Sequence, residues 1–161
     1  MANKINLDTS TRLDIICRKG DTFSIGLTIK DGADKQDLTS DKFAMQVRTR
    51  ASREGANGLL ITTNPAQESI DDGTSAPVLP LKNANIADAS AVFTVDRGSN
   101  DSDDGDFGIL TIKGTALQMS EVPSGRYVYD IQHYVDSSES QKTILHGSFV
   151  VNDDITEVGQ L

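Results

Sequence analysis

Apolar and polar residues alternate with a period of two through most regular stretches of the chain. Over residues 22–30 the apolar side chains Phe23, Ile25, Leu27 and Ile29 hold the odd positions, while Thr22, Ser24, Gly26, Thr28 and Lys30 hold the even ones. That period turns one side of the segment toward a core and the other toward water, so it predicts a half-buried strand. Asp31-Gly32 follows, a turn dipeptide that accepts positive φ. Residues 42–50 repeat the pattern, with Phe43, Met45 and Val47 facing inward and Lys42, Gln46, Arg48 and Arg50 facing outward. Upstream, residues 12–18 place Leu13, Ile15 and Cys17 on one apolar face.

The pattern lapses over 51–90. A polar stretch, 51–58, leads to a short strand candidate at 59–62, and then Pro65, Asp71-Asp72-Gly73, Pro77 and Pro80 follow with no sustained period. A stretch of that length is rarely a bare connector, so it reads as a long irregular insertion or an excursion to a sheet edge. Regularity returns at 91–95 and 108–113, a hairpin around the polar turn 96–106. Residues 115–122 read as a weakly helical or irregular crossing. After the turn Pro123-Ser124-Gly125, the strand 126–132 puts Tyr127, Tyr129 and Ile131 on one face. The acidic turn 136–140 then leads to 143–151, where Leu145, Phe149 and Val151 share a face and Gly147 leaves room for a close neighbour.

Seven to nine short strands with no long helix predict an all-β fold, a sandwich or a barrel, and the expectation taken forward is an immunoglobulin-like antiparallel β-sandwich. The domain reading is a single sandwich over 12–156 with the insertion at about 51–90, an N-terminal arm at 1–11 and a C-terminal tail at 157–161. The Cys…Trp…Cys trio of antibody domains is missing, since the chain has one Cys and no Trp. The likeness is therefore one of architecture.

Composition narrows the function classes. With 161 residues, 24 acidic and 15 basic side chains, the formal net charge is −9, and mean hydropathy is −0.33. An acidic chain is a poor match for a phosphate backbone, so no nucleic acid partner is expected. No apolar run approaches the roughly 20 residues of a spanning helix, so no membrane partner is expected either. The N-terminus has no apolar segment of the secretory kind, and a lone Cys17 cannot close an internal disulfide. Synthesis in a cytoplasm fits both. Cys17 reads as a small buried hydrophobe rather than a nucleophile.

Little in the chain suggests chemistry. Counting a twelve-residue calcium loop from Asn100 places Ser102 third, Asp104 fifth and Gly105 sixth, but Thr111 stands where the bidentate Glu belongs. The run 100–106 therefore reads as a solvated hairpin tip. His133 and His146 read as surface or interface residues, and two His alone do not complete a zinc site. Asp130 and His133 are three apart on one strand and so point to opposite faces, which argues against an acid–base dyad. There is no G-x-S-x-G, no P-loop and no H-E-x-x-H. The expectation is no enzyme and no cofactor. The outward row Lys42, Gln46, Arg48 and Arg50 is locally basic in an acidic protein and is the candidate interface, suited to an acidic patch on a partner or a neighbouring copy.

Three motifs in order carry a family resemblance. They are the run 18–31 with its Lys19-Gly20-Asp21-Thr22-Phe23 start, the run 37–48, and the run 122–132 followed by 145–156. Together they resemble bacteriophage virion proteins with an immunoglobulin-like sandwich, in particular the N-terminal domain of phage baseplate upper proteins. The resemblance covers about 12–50 and 107–156 and omits 51–90. It implies a non-enzymatic structural adaptor in the tail, neck or baseplate, partnered by other virion proteins and by copies of itself. Such a protein is assembled in the host cytoplasm and resides in the virion. A capsid decoration protein is the alternative, followed by a receptor- or glycan-binding module.

Overall fold

A computed structural model describes residues 7–49, 58–63, 89–135 and 140–155. In chain order the strands are β1 (Thr11–Arg12), β2 (Ile15–Arg18), β3 (Phe23–Thr28), β4 (Lys30–Asp31), β5 (Asp34–Lys35), β6 (Asp41–Arg48), β7 (Leu59–Thr63), β8 (Ala91–Asp96), β9 (Ile109–Gly114), β10 (Gly125–Val135) and β11 (Ser140–Asn152). The helix α1 (Ala116–Ser120) lies between β9 and β10. Among the described residues no helix is long and apolar enough to cross a membrane.

Among the described residues, nine strands form one curled sheet in the order β1-β11-β10-β6-β7-β8-β9-β3, with β2 also paired to β11, while β4 and β5 make a separate small hairpin. The curl folds the sheet into two layers. Phe23 of β3, at one end of the order, stacks on Phe93 of β8 with ring centroids 5.0 Å apart, and lies 5.6 Å from Phe149 of β11 near the other end. One layer is therefore β2-β11-β10-β6-β7 and the facing layer is β8-β9-β3. The fold is the expected all-β sandwich.

The period of two is what builds the core. In β6, Phe43, Met45 and Val47 are fully buried, and so are Ile131 of β10, Phe149 of β11, Leu110 and Ile112 of β9. Each such side chain contributes about 1.5–3 kcal/mol by leaving water. Helix α1 seals one end: Thr115 Oγ1 accepts from the Gln118 amide at 3.1 Å, Gln118 Oε1 accepts from the Thr115 amide at 2.9 Å, and Met119 is buried. This reciprocal cap explains why so short a helix forms where the sequence reads as weakly helical. The Tyr127 hydroxyl donates to the Pro123 carbonyl at 2.6 Å, a corner of the kind found in immunoglobulin-like sandwiches.

Two details depart from the expected pattern. The sheet is mixed, because β1 and β2 run parallel to β11 and β7 runs parallel to β8. Parallel neighbours need a long crossover, which gives a topological reason for the length of the connection 64–90 between β7 and β8. Leu13, expected on the apolar face with Ile15 and Cys17, is 42% exposed. It falls in the break between β1 and β2, where the alternation is interrupted, and only Ile15 and Cys17 pack against the core. Gly147 explains that break: a Cβ there would sit 2.3 Å from the Leu13 carbonyl oxygen, so the segment joining β1 to β2 lies directly on the β11 backbone.

Candidate interaction face

The outward side of β2-β11-β10-β6 is a continuous face whose rows are fixed by register. Arg48 is opposite Val128, which is opposite Ser148. Gln46 is opposite Asp130, Asp130 opposite His146, and His146 opposite Arg12. Lys42 is opposite Tyr134. Arg126 is opposite Val150, which neighbours Ile16, and Arg18 is opposite Asn152. The sequence-predicted residues Lys42, Gln46 and Arg48 thus do lie on one face, and Arg50 lies outside the described residues. Strand order adds Arg12, Arg18 and Arg126, which sequence reasoning missed because parity gives the face of a residue but not the neighbour of its strand.

The polar side chains of this face hold one another in place. Arg48 donates to Gln46 Oε1 through Nε at 3.2 Å and Nη2 at 3.0 Å. The Lys42 ammonium stands 5.2 Å from the centroid of the Tyr134 ring, a cation–π contact. Gln141 donates to Gln132 Oε1 at 2.5 Å, and Gln132 reaches Asp130 Oδ2 at 3.5 Å. Burial raises the Asp130 carboxyl above its ordinary value, against the opposing pull of the Gln132 hydrogen bond and of Arg48 and His146. At the rim, Ser10 Oγ lies 2.8 Å from His146 Nδ1, and Ser10 also bonds the Asp8 carboxylate. Asp14 accepts from the Ser148 amide at 2.9 Å, the leading cause of its lowered pKa, and meets Arg12 at 3.3 Å.

The two histidines sit on opposite faces, and one of them corrects the expectation. His146 is half-buried on the outward face. His133 is not a surface residue: it is 6% exposed, and its Nε2 lies 2.7 Å from Oδ2 of Asp41, itself 8% exposed. Its ring stacks on Phe43, centroids 4.6 Å apart and planes 11° from parallel. The physical reason is parity, since 133 continues the inward row of Tyr127, Tyr129 and Ile131, and a carboxylate waits at the matching end of β6. Beside this pair the fully buried Arg97 donates through Nη1 to the carbonyls of Thr39 at 2.7 Å and Asp41 at 2.6 Å. Asp41 and Arg97 carried no sequence signal of a site. The arrangement is closed off from solvent and pins the start of β6 to the base of the β8–β9 loop.

The remaining sequence candidates are placed as follows. In the acidic turn, Ser99 Oγ donates to Asp104 Oδ2 at 2.5 Å, the Asp101 amide to Ser99 Oγ at 3.0 Å, and the Asp103 amide to Asp101 Oδ1 at 3.0 Å. These carboxylates shape their own loop, and no cluster of three or more potential metal ligands occurs among the described residues. Cys17 is half-buried, its Sγ 3.4 Å from the Val150 carbonyl, and burial pushes its thiol up to about 11. At that value it is a poor nucleophile.

No family model matches the sequence, and no curated protein matches it. Among solved structures, the chain is similar to one from a structural and photo-crosslinking study of multimeric cell-adhesive interactions of VGSC beta subunits. That match has 12% identity, a TM-score of 0.32, and covers 96% of this chain and 100% of the other. A likeness at that level carries no functional argument.

Proposed function

We propose that the protein is a non-enzymatic structural protein of a tailed bacteriophage particle, an adaptor that joins neighbouring subunits in the tail, neck or baseplate. The observation that carries this reading is the outward face of β2-β11-β10-β6, along which Arg12, Arg18, Lys42, Arg48 and Arg126 are spread on one side of the sheet in a chain of net charge −9. The three-motif resemblance gives that face a setting. A rigid sandwich with a preset array of cations orients a partner by charge, and the geometry of assembly follows from the geometry of the sheet.

The test is direct. Mass spectrometry of purified particles from the strain that encodes the chain is expected to find it in multiple copies, and a particle reconstruction is expected to place its density in the tail, neck or baseplate. Density on the capsid surface would make it a decoration protein instead. Its absence from the particle, or turnover of a substrate by the purified chain, would sink the proposal.

A further inference from the structure

The outward face and the β8–β9 loop carry opposite charges at opposite ends of the molecule. Arg18, Arg48 and Arg126 lie at the end of the face where β2 and β6 finish and β10 begins. Register puts Arg126 about 8 Å from Arg48 and about 12 Å from Arg18, so that the three form a diagonal about 20 Å long across four strands. Val128 and Val150 lie among them, and Ile16, 72% exposed, adds an apolar contact. The carboxylates nearby are the half-buried Asp130, Asp14 on the rim, Asp153 and Asp154 beyond the end of β11, and Asp21, whose amide donates to the Arg18 carbonyl at 3.2 Å. At the other end, the β8–β9 loop presents Asp101, Asp103 and Asp104 to solvent, with Asp106 half-buried beneath them.

That loop is pre-shaped. The buried Arg97 ties its base to β6, and Gly98 adopts a φ of +72° where a Cβ would meet the Asp106 carbonyl oxygen at 2.1 Å. Backbone bonds from Asp104 to Asp101 and from Phe107 to Asp104, at 3.1 and 3.2 Å, close its turns. A loop already held in one shape has little ordering cost left to meet on binding.

The loop base sits at the Asp41 end of β6, while Arg48 ends that strand, about 23 Å away. A single copy therefore cannot bring its own loop onto its own arginines. Resting on the reading of this face as an assembly surface, we propose that its occupant is the β8–β9 loop of a second copy of this chain. The two surfaces differ, so the contact is head-to-tail and propagates into a ring or a filament rather than stopping at a two-fold dimer.

Charge reversal with complementation tests this on the full chain. One variant combines Asp101→Lys, Asp103→Lys and Asp104→Lys; a second combines Arg48→Glu and Arg126→Glu. Circular dichroism and thermal melting first confirm that both fold. In sedimentation velocity at low salt, the parent chain is expected to form oligomers that weaken roughly tenfold or more as salt is raised to about 0.5 M. Each variant alone is expected to be monomeric, because its loop and face now repel. An equimolar mixture is expected to assemble again, since each reversed surface meets its complement. A parent chain that stays monomeric, a loop variant that assembles like the parent, or a mixture that fails to assemble overturns the proposal. If only the face variant loses assembly, the face has a different occupant. The adaptor reading is tested separately, by the content of the particle.

Discussion

His133 Nε2 and Asp41 Oδ2 meet at 2.7 Å across 92 residues of chain, joining β10 to β6 in a part of the core closed to water. Asp41 also lends its carbonyl to Arg97, so one residue ties together two strands and the base of a loop.

Truncating either partner leaves the other buried without its match. Asp41→Ala and His133→Ala are each expected to cost about 3 kcal/mol in urea unfolding. The double variant is expected to cost less than their sum, with a coupling of about 1–3 kcal/mol. Additive losses would show that the pair is a coincidence of packing.

Asp130 gives a prediction in pH. Burial raises its carboxyl above the ordinary 3.8, so the native state holds that proton more tightly than the unfolded chain does. The ionised form is then a native-state cost. It is absent below the unfolded value, grows as pH rises from there through the raised native value, and persists above it. Asp130→Asn is therefore expected to raise the melting temperature at pH 7 and to lose that advantage below about pH 4. A variant less stable than the parent at pH 7 would mean that Arg48 and His146 more than offset the burial.

Cys17 is expected to resist thiol reagents at pH 8 in the folded protein, because its thiol lies up at about 11 and is half-buried. In denaturant it is expected to react within the dead time of ordinary labelling. Rapid labelling of the native protein would indicate that β2 leaves β11 readily.

Gly147→Val is expected to displace the β1–β2 segment, since even a Cβ at 147 would stand 2.3 Å from the Leu13 carbonyl oxygen. Two or more kcal/mol of stability, about the range for overpacking, is expected to be lost. Limited proteolysis is expected to cut within 11–18 while the strands β6, β10 and β11 persist. An unchanged cleavage pattern would show that the segment is held by other contacts.

Much of this was legible along the chain, and the rest failed for definable reasons. The alternation in β6 is clean because one side of that strand is wet, and Phe43, Met45 and Val47 are buried as it predicts. His133 was within reach of the same rule, since it shares parity with Ile131, and its polarity is a weaker guide than its position. Arg97 is another matter. A lone arginine after a strand looks like any turn residue, and only the fold shows two backbone carbonyls converging on it. The same holds for Arg126, whose approach to Arg48 depends on strand order, and for Arg18, which only strand order places on the same face. Alternation reports burial one strand at a time and says nothing of which strands are neighbours.

The parallel pairing of β2 with β11 has a mechanical consequence. β2 runs in the same direction as β11 and lies beside its last four residues, so the chain enters this pair at its trailing end and leaves it at its leading end. A pull applied through the two ends of the chain would drag β2 one way and β11 the other. Their hydrogen bonds, from Ile15 beside Phe149 to Arg18 beside Asn152, would then bear the load side by side in shear, instead of parting one after another as in a zipper. Tension along the chain thus meets its resistance at the strand pair where the first and last parts of the sandwich join.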